Sequence, residues 1–324
     1  MEKTFIARAE DYPGETWLAD TRAIWPSFRD WFLSEGLEAR PGVAACRAAI
    51  GRFMPEFVPL YDHLCSLLGE EETQKRCLGL YDPAPVFAGC TQGIWLGPEG
   101  PALLRNYDFG LDFVSGRIER TRWFGRRCIV MAEGGWGCLD GMNEDGLALS
   151  LTFGGRPATG RGFSLILVMR YVLETCQTVS QAAEVLTRIP IFMAQNVLLL
   201  DRTGDYALVH LGADREPAVV RALACTNHQE KVVWPEHAAA VATEARQARM
   251  LEVLVTAKTL EGAAQAMLSP GLYMTDFHRE FGTVYTAVYR PAAGSVDYLW
   301  PGKRWNFSFR DFREGSYTHR YGGG

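Results

Sequence analysis

From Pro83 onward the chain alternates pairs of strands with pairs of helices, and that order excludes most folds. "PVFAGCTQGIWLG" (85–97) and "PALLRNYDFG" (101–110) read as two short strands joined by a Pro-Glu-Gly turn. "LALSLTF" (147–153) follows the turn "NEDG" and reads as another strand. Two consecutive helices come next, "GRGFSLILVMRYVLETC" and "SQAAEVLTRI", then a hairpin around Thr203-Gly204 and a strand in "AVVRALACTN". A long helix in "HAAAVATEARQARMLEVLVTA", a shorter one in "LEGAAQAML" and a hairpin in "GTVYTAVYRPAAGSVDYLWPG" complete the series. A parallel sheet needs a crossover between each pair of strands, and helices arriving in adjacent pairs do not supply it. The order predicts an α+β fold with helices packed on antiparallel sheets.

Residues 1 to about 80 have a different character. Ile24, Phe28, Trp31 and Phe32 share one helix face, which Gly36 can end, and Leu60, Leu64 and Leu67 repeat the pattern. This region offers almost no strand candidates. With no linker or repeat in sight, the simplest division is one compact domain carrying a helical N-terminal section.

Composition narrows the partners. A net charge of −5 gives no electrostatic case for nucleic acid. Eight cysteines without a Cys-x-x-Cys pair suit neither a disulfide scaffold nor a zinc ribbon, so reduced thiols and a cytoplasmic setting are expected. The N-terminus has mixed charge and no apolar run, unlike a secretory signal. The strongest apolar run, Phe163–Met169, stops at Arg170 and is too short to span a bilayer. "GGWGCLDGMNEDG" is Gly-rich but has no Gly-Lys-Ser/Thr, so turns and close packing explain it. No cofactor or metal is expected.

One cysteine stands apart. Cys90 follows Gly89, which lets the backbone approach closely, and precedes Thr91. Arg105 and Asp108 lie on the next strand. Residues three apart on a strand point to opposite faces, so both reach the thiol only if the ladder is irregular. Trp95, Tyr107, Phe109, Trp136 and Phe153 lie nearby in sequence, and one or two of them are candidates to line a pocket.

"AGCTQ", "LLRNYDF", "GMNEDGLALSLTF", "ACTNHQE" and "TEARQARMLEVL" occur in that order, and the last hairpin follows them. Over roughly residues 85 to 305 the chain resembles the choloylglycine hydrolase and isopenicillin N acyltransferase branch of the N-terminal-nucleophile hydrolases. The resemblance implies a four-layer αββα sandwich with antiparallel sheets. It also implies a precursor that cuts itself between Gly89 and Cys90. Residues 1–89 would then be a helical prosegment kept as a small subunit, and residues 90–324 the catalytic domain. That arrangement is similar to the acyltransferase. Bile-salt hydrolases and penicillin V acylases lose only a short leader.

An N-terminal cysteine carries its own base. A thiol has a pKa of about 8.5 and an α-amino group one of roughly 7.7–8.0, so the amine can take the thiol proton and pass it to the leaving group. No catalytic histidine is then needed; His228 is the nearest alternative. The resemblance assigns Asp108 to hold the α-amino group and Arg105 to favour the thiolate and orient substrate. It assigns Asn227 to the oxyanion and Arg246 to support the nucleophile, with Arg249 one helical turn away in the alternative register. Thr152 stands where bile-salt hydrolases have an asparagine. Its hydroxyl is a candidate second donor, and Tyr107 is a candidate substrate contact. The expected activity is cleavage of an amide C–N bond in a small N-acyl substrate through a Cys90 thioester. Water or an amine then takes the acyl group, and an acyl-CoA is a candidate co-substrate as acyl donor. A bile-salt or penicillin V acylase, or a binding module that never matures, are the alternatives.

Overall fold

The computed structural model describes residues 1–279 and 281–322. Strand β1 (Glu2–Ala9) precedes four helices, α1 (Glu15–Phe32), α2 (Val43–Phe53), α3 (Val58–Leu68) and α4 (Glu72–Leu78). Six strands follow: β2 (Gly89–Trp95), β3 (Ala102–Phe109), β4 (Arg117–Thr121), β5 (Cys128–Glu133), β6 (Gly137–Asn143) and β7 (Leu147–Phe153). Then come α5 (Leu165–Thr175), α6 (Val179–Arg188), β8 (Gln195–Asp201), β9 (Tyr206–Leu211), β10 (Ala218–Val220) and β11 (Ala224–Cys225). The chain closes with α7 (Pro235–Ala240), α8 (Thr243–Thr256), α9 (Leu260–Met267), β12 (Thr275–Asp276), β13 (Phe281–Arg290), β14 (Ser295–Trp300), β15 (Lys303–Ser308) and β16 (Gly315–Arg320).

These strands form two sheets. One runs β10-β9-β8-β7-β6-β5-β4-β1-β16, and the other β11-β2-β3-β13-β14-β15, with β12 beside β13. Pairing is antiparallel except between β1 and β4. Helices α5 and α6 pack on the first sheet, α8 and α9 on the second. Both faces of β2 are buried, and Gly93 makes room for α8: Met250 lies against it, where a Cβ would meet it at 2.2 Å. The mixed fold with largely antiparallel sheets is the one the element order predicts.

Three local readings are corrected. The N-terminal section is not strand-free: β1 lies between β4 and β16, and buries Phe5 and Ala7 completely. Phe5 rests on Trp300 with ring centroids 4.7 Å apart, which brings it to the second sheet. The Gly-rich segment turns at residues 134–136 and again at 144–146, on either side of β6, and is closely packed between, as expected: a Cβ on Gly141 would lie 2.6 Å from Val130. The strand expected in "AVVRALACTN" splits between β10 and β11, which belong to different sheets. The long helix breaks at Ala242, whose φ of 47° is left-handed, into α7 and α8. In α1 the predicted face holds: Phe32 is buried and Ile24, Phe28 and Trp31 are half-buried, though the helix ends at Phe32 rather than Gly36.

The N-terminal helices pack through aromatic rings. Trp136, ahead of β6, stacks on Tyr61 at 6.0 Å and lies 5.4 Å from Phe57, and its indole N–H donates to the Leu78 carbonyl at 2.7 Å. Among the described residues no helix is long and apolar enough to cross a membrane.

Candidate active site

The hairpin of β2 and β3 sets the geometry. Its register pairs Gly89 with Asp108, Cys90 with Tyr107 and Gln92 with Arg105. The ladder is regular, so the irregularity needed to bring both charges to the thiol is absent. Arg105 and Asp108 instead reach Cys90 from opposite faces of the sheet. Gly89 faces the same way as Asp108, and a Cβ there would lie 3.3 Å from the Asp108 Cβ.

On the thiol side, Arg105 Nη2 lies 3.7 Å from Cys90 Sγ. Nη1 donates to the Leu139 carbonyl at 2.5 Å, and Nε lies 3.2 Å from Asp140. Asp140 also accepts the hydroxyls of Tyr285 and Tyr289, each at 2.5 Å. A fully buried guanidinium needs such a partner, yet Asp140 escaped sequence reasoning because its strand sits in the Gly-rich run. The available signal was a single acid between apolar residues in "GCLDGM". The Arg105 guanidinium also lies over the Tyr107 ring, 4.9 Å from its centroid.

On the opposite face, Arg246 of α8 gathers the backbone and carboxylate. Its Nη1 donates to the Cys90 carbonyl at 2.6 Å and to Thr91 Oγ1 at 2.7 Å, and lies 3.3 Å from Asp108 Oδ2. Its Nη2 donates to Asn227 Oδ1 at 2.7 Å. Arg249 is exposed and pairs with Glu252, so Arg246 is the arginine at the site. Asp108 accepts the Thr283 hydroxyl at 2.7 Å. Burial pushes Asp108 up to about 6, with Arg246 and Thr283 pulling the other way.

Asn227 spans the bond of interest. Its Oδ1 accepts the Cys90 backbone N–H, and its Nδ2 donates to the carbonyls of Ala88 at 3.0 Å and Phe153 at 3.3 Å. Thr243 Oγ1 holds the Asn227 backbone N–H at 2.8 Å. Thr152 lies behind this arrangement. Its hydroxyl donates to the Thr226 carbonyl at 2.9 Å and accepts Asn196 Nδ2 at 3.0 Å. A hydroxyl has one proton, so in this arrangement it has none to offer an oxyanion. His228 Nδ1 sits 3.0 Å from Thr243 Oγ1, and burial lowers its pKa.

Cys90 is wholly buried, and burial pushes its thiol up to about 11 although Arg105 opposes the shift. Its cross-strand partner Tyr107 lines a cavity of about 110 Å³, together with Ala88, Glu133, Leu139, Phe153 and Gln195; Cys90 itself is not part of the lining. Of the aromatic residues singled out in the sequence, Tyr107, Phe109 and Phe153 line this cavity. Trp95 belongs to the core beneath α8 and α9, and Trp136 to the contact with the N-terminal helices.

Residues 95–305, about two thirds of the chain, match the sequence profile of the acyl-coenzyme A:6-aminopenicillanic acid acyl-transferase family. The chain belongs to that family. The matched span contains Arg105, Asp108, Asn227 and Arg246 and begins five residues after Cys90. No curated protein matches the chain. Among solved structures, a variant of the conjugated bile acid hydrolase from Clostridium perfringens is similar at 13% identity and a TM-score of 0.50, over 72% of this chain and 97% of that one. The penicillin V acylase from Agrobacterium tumefaciens is similar at 16% identity and 0.49, over 68% and 86%. The Caenorhabditis elegans ortholog of N-acylethanolamine-hydrolyzing acid amidase is similar at 14% and 0.45, over 71% and 100%. At these identities the likeness is one of fold. Family membership makes the chain an enzyme of an acyltransferase family and confirms the resemblance read from its motifs.

Proposed function

We propose that the chain cuts itself between Gly89 and Cys90 and then acts as a cysteine amide hydrolase or acyltransferase on small N-acyl amides. The observation that carries this reading is Asn227, bonded to the Ala88 carbonyl on one side of Gly89 and to the Cys90 N–H on the other. In the first step Cys90 Sγ attacks the Gly89 carbonyl carbon, and the bond to the Cys90 nitrogen breaks. The thiol proton ends on that nitrogen, leaving a thioester and a free α-amine. Water then adds to the thioester, Gly89 leaves as a carboxylic acid, and the thiol regains a proton.

In the mature enzyme the α-amine takes the thiol proton, with Asp108 and Asn227 Oδ1 as its acceptors. Arg105 stabilises the sulfur as thiolate, held in place by Asp140. As Sγ attacks the substrate carbonyl, Asn227 Nδ2 donates to the oxyanion in place of the Ala88 carbonyl. The amine leaves with the proton, and water or an acceptor amine takes the acyl group from Cys90. We assign residues 1–89 to a retained small subunit and residues 90–324 to the catalytic one. Thr152 acts as a positioning residue for the Thr226–Asn227 backbone.

Mass spectrometry of purified protein tests this. Wild type should give two chains, 1–89 and 90–324, and Cys90→Ala one chain of 324 residues. With a poor acceptor present, the acyl group should be found on Cys90. An uncut wild type that still hydrolyses amides would sink the mechanism.

A further inference from the structure

The cavity lined by Ala88 and Tyr107, the neighbours of Cys90 along the chain and across the ladder, has a wall from outside the catalytic segment. Ser27, Phe28 and Trp31 of α1 line it together with Tyr107, Phe109 and Phe113. Phe28 and Trp31 are three residues apart on one helix face and meet edge-to-face, with centroids 6.0 Å apart. Both are only half-buried, although each is a large apolar ring.

The two ends of the cavity differ in chemistry. Glu133 lies at the α1 end and Gln195 at the other, on β5 and β8, three strand spacings or about 14 Å apart. Gln195 is 8% exposed and its Oε1 has no hydrogen-bond partner among the described residues. An unpaired buried acceptor suits a substrate N–H. Rings wall both ends, Phe153 and Phe192 near Gln195 and Phe28 and Trp31 at α1, and the carboxyl Glu133 already accepts the N–H groups of Ser115 at 3.0 Å and Gly134 at 3.3 Å. The amide nitrogen therefore belongs toward Gln195 and the acyl group toward α1.

Residues ahead of the scissile bond point the same way. Ala84, Val86 and Ala88 also line the cavity, and they are the acyl portion of the first thioester. Their small side chains leave the space that a substrate's acyl group fills.

We infer that Phe28 and Trp31 of the N-terminal segment determine acyl selectivity, closing the pocket around an uncharged, medium-chain or ring-sized acyl group. A cavity of about 110 Å³ is close to the roughly 150 Å³ engineered space that takes one benzene. Among the described residues the lining has no basic side chain, so a terminal carboxylate on the acyl chain would be buried without a counter-charge and rejected. The inference rests on the proposed function, since it takes the thioester at Cys90 as the reacting centre.

The test compares p-nitroanilides of acetate, octanoate and suberate on wild type and Trp31→Ala. Wild type should favour octanoyl over acetyl, and turn over the suberyl compound at least tenfold less well than octanoyl. Trp31→Ala should lower kcat/KM for octanoyl at least tenfold, mainly through KM, and for acetyl less than twofold, while still cutting after Gly89. An equal effect on every chain, or none, overturns the inference. Octanamide binding to Cys90→Ala by calorimetry gives a reading that needs no turnover. There Trp31→Ala should weaken binding about tenfold, and equal affinity, or no binding in either background, again overturns it. An uncut, inactive wild type that binds octanamide through Trp31 would instead refute the proposed chemistry and keep the pocket.

Discussion

Asn227 Oδ1 accepts the backbone N–H of Cys90 at 2.9 Å, across 137 residues of chain. The same side chain holds the Ala88 carbonyl, so the peptides on both sides of Gly89 are fixed by one amide. Asn227→Ala removes the side chain that positions both peptides and should therefore slow self-cleavage by a factor on the order of 100. A time course on denaturing gels measures it. Cleavage at the wild-type rate would remove Asn227 from the mechanism.

Asp108 gives the activity a pH limb. Burial pushes its carboxyl up to about 6. Below that pH it takes a proton and loses the charge that holds the α-ammonium. For wild type, kcat/KM should fall as pH drops through 6. Asp108→Asn should lower activity roughly 100-fold at pH 7.5 and remove that limb. A limb that survives in Asp108→Asn would belong to another group.

Asp140 should matter for stability before it matters for rate. Asp140→Ala leaves Arg105 with its charge fully buried and its acid partner gone, a loss of about 3–5 kcal/mol. Urea denaturation in the Cys90→Ala background isolates that effect from processing. A change below about 1 kcal/mol would mean that Arg105 finds another counter-charge.

Glu133 makes the fold less stable as pH rises. Burial raises it from 4.5 to about 7, while Arg117 and Lys3 only partly offset the shift. The neutral acid is favoured in the fold, so its contribution is full below pH 4.5 and lost as pH rises through 7. By linkage the loss is roughly 3 kcal/mol. Glu133→Gln should therefore gain on wild type between pH 4.5 and 8 in thermal denaturation. A constant difference across that range would show that the carboxyl does not titrate there.

The two cleavage products should stay together. Phe5, Leu64 and Phe32 are buried, and β1 is laddered on both edges. Size-exclusion chromatography of cut protein should give one peak containing both. Two peaks would make residues 1–89 a discarded propeptide.

What was legible in the sequence follows the distance between partners. Cys90, Arg105 and Asp108 share one hairpin, so their meeting was readable from adjacent strands. That they approach from opposite faces follows from strand alternation, once the ladder is known to be regular. Arg246 and Arg249 sit on one helix, and burial against β2 separates them, which no periodicity could do. β1 was missed because its partners, β4 and β16, lie more than a hundred and about three hundred residues away. Its own residues, "EKTFIARA", bury only every second side chain in part of their length. The α1 wall of the cavity was invisible for the same reason: Phe28 and Trp31 looked like ordinary helix-face residues, and only the fold shows what they face.

The position of β1 also bears on how the molecule is made. In the uncut chain, sliding residues 2–9 between β4 and β16 is an intramolecular event, with loop closure as its entropy cost. The cut proposed above would make it a meeting of two molecules, whose rate would depend on their concentration. β16 would have no neighbour on the sheet until that meeting happens. Assembly thus has to precede chemistry, and the mature enzyme, once fully denatured at high dilution, lacks the tether that first placed its inner strand.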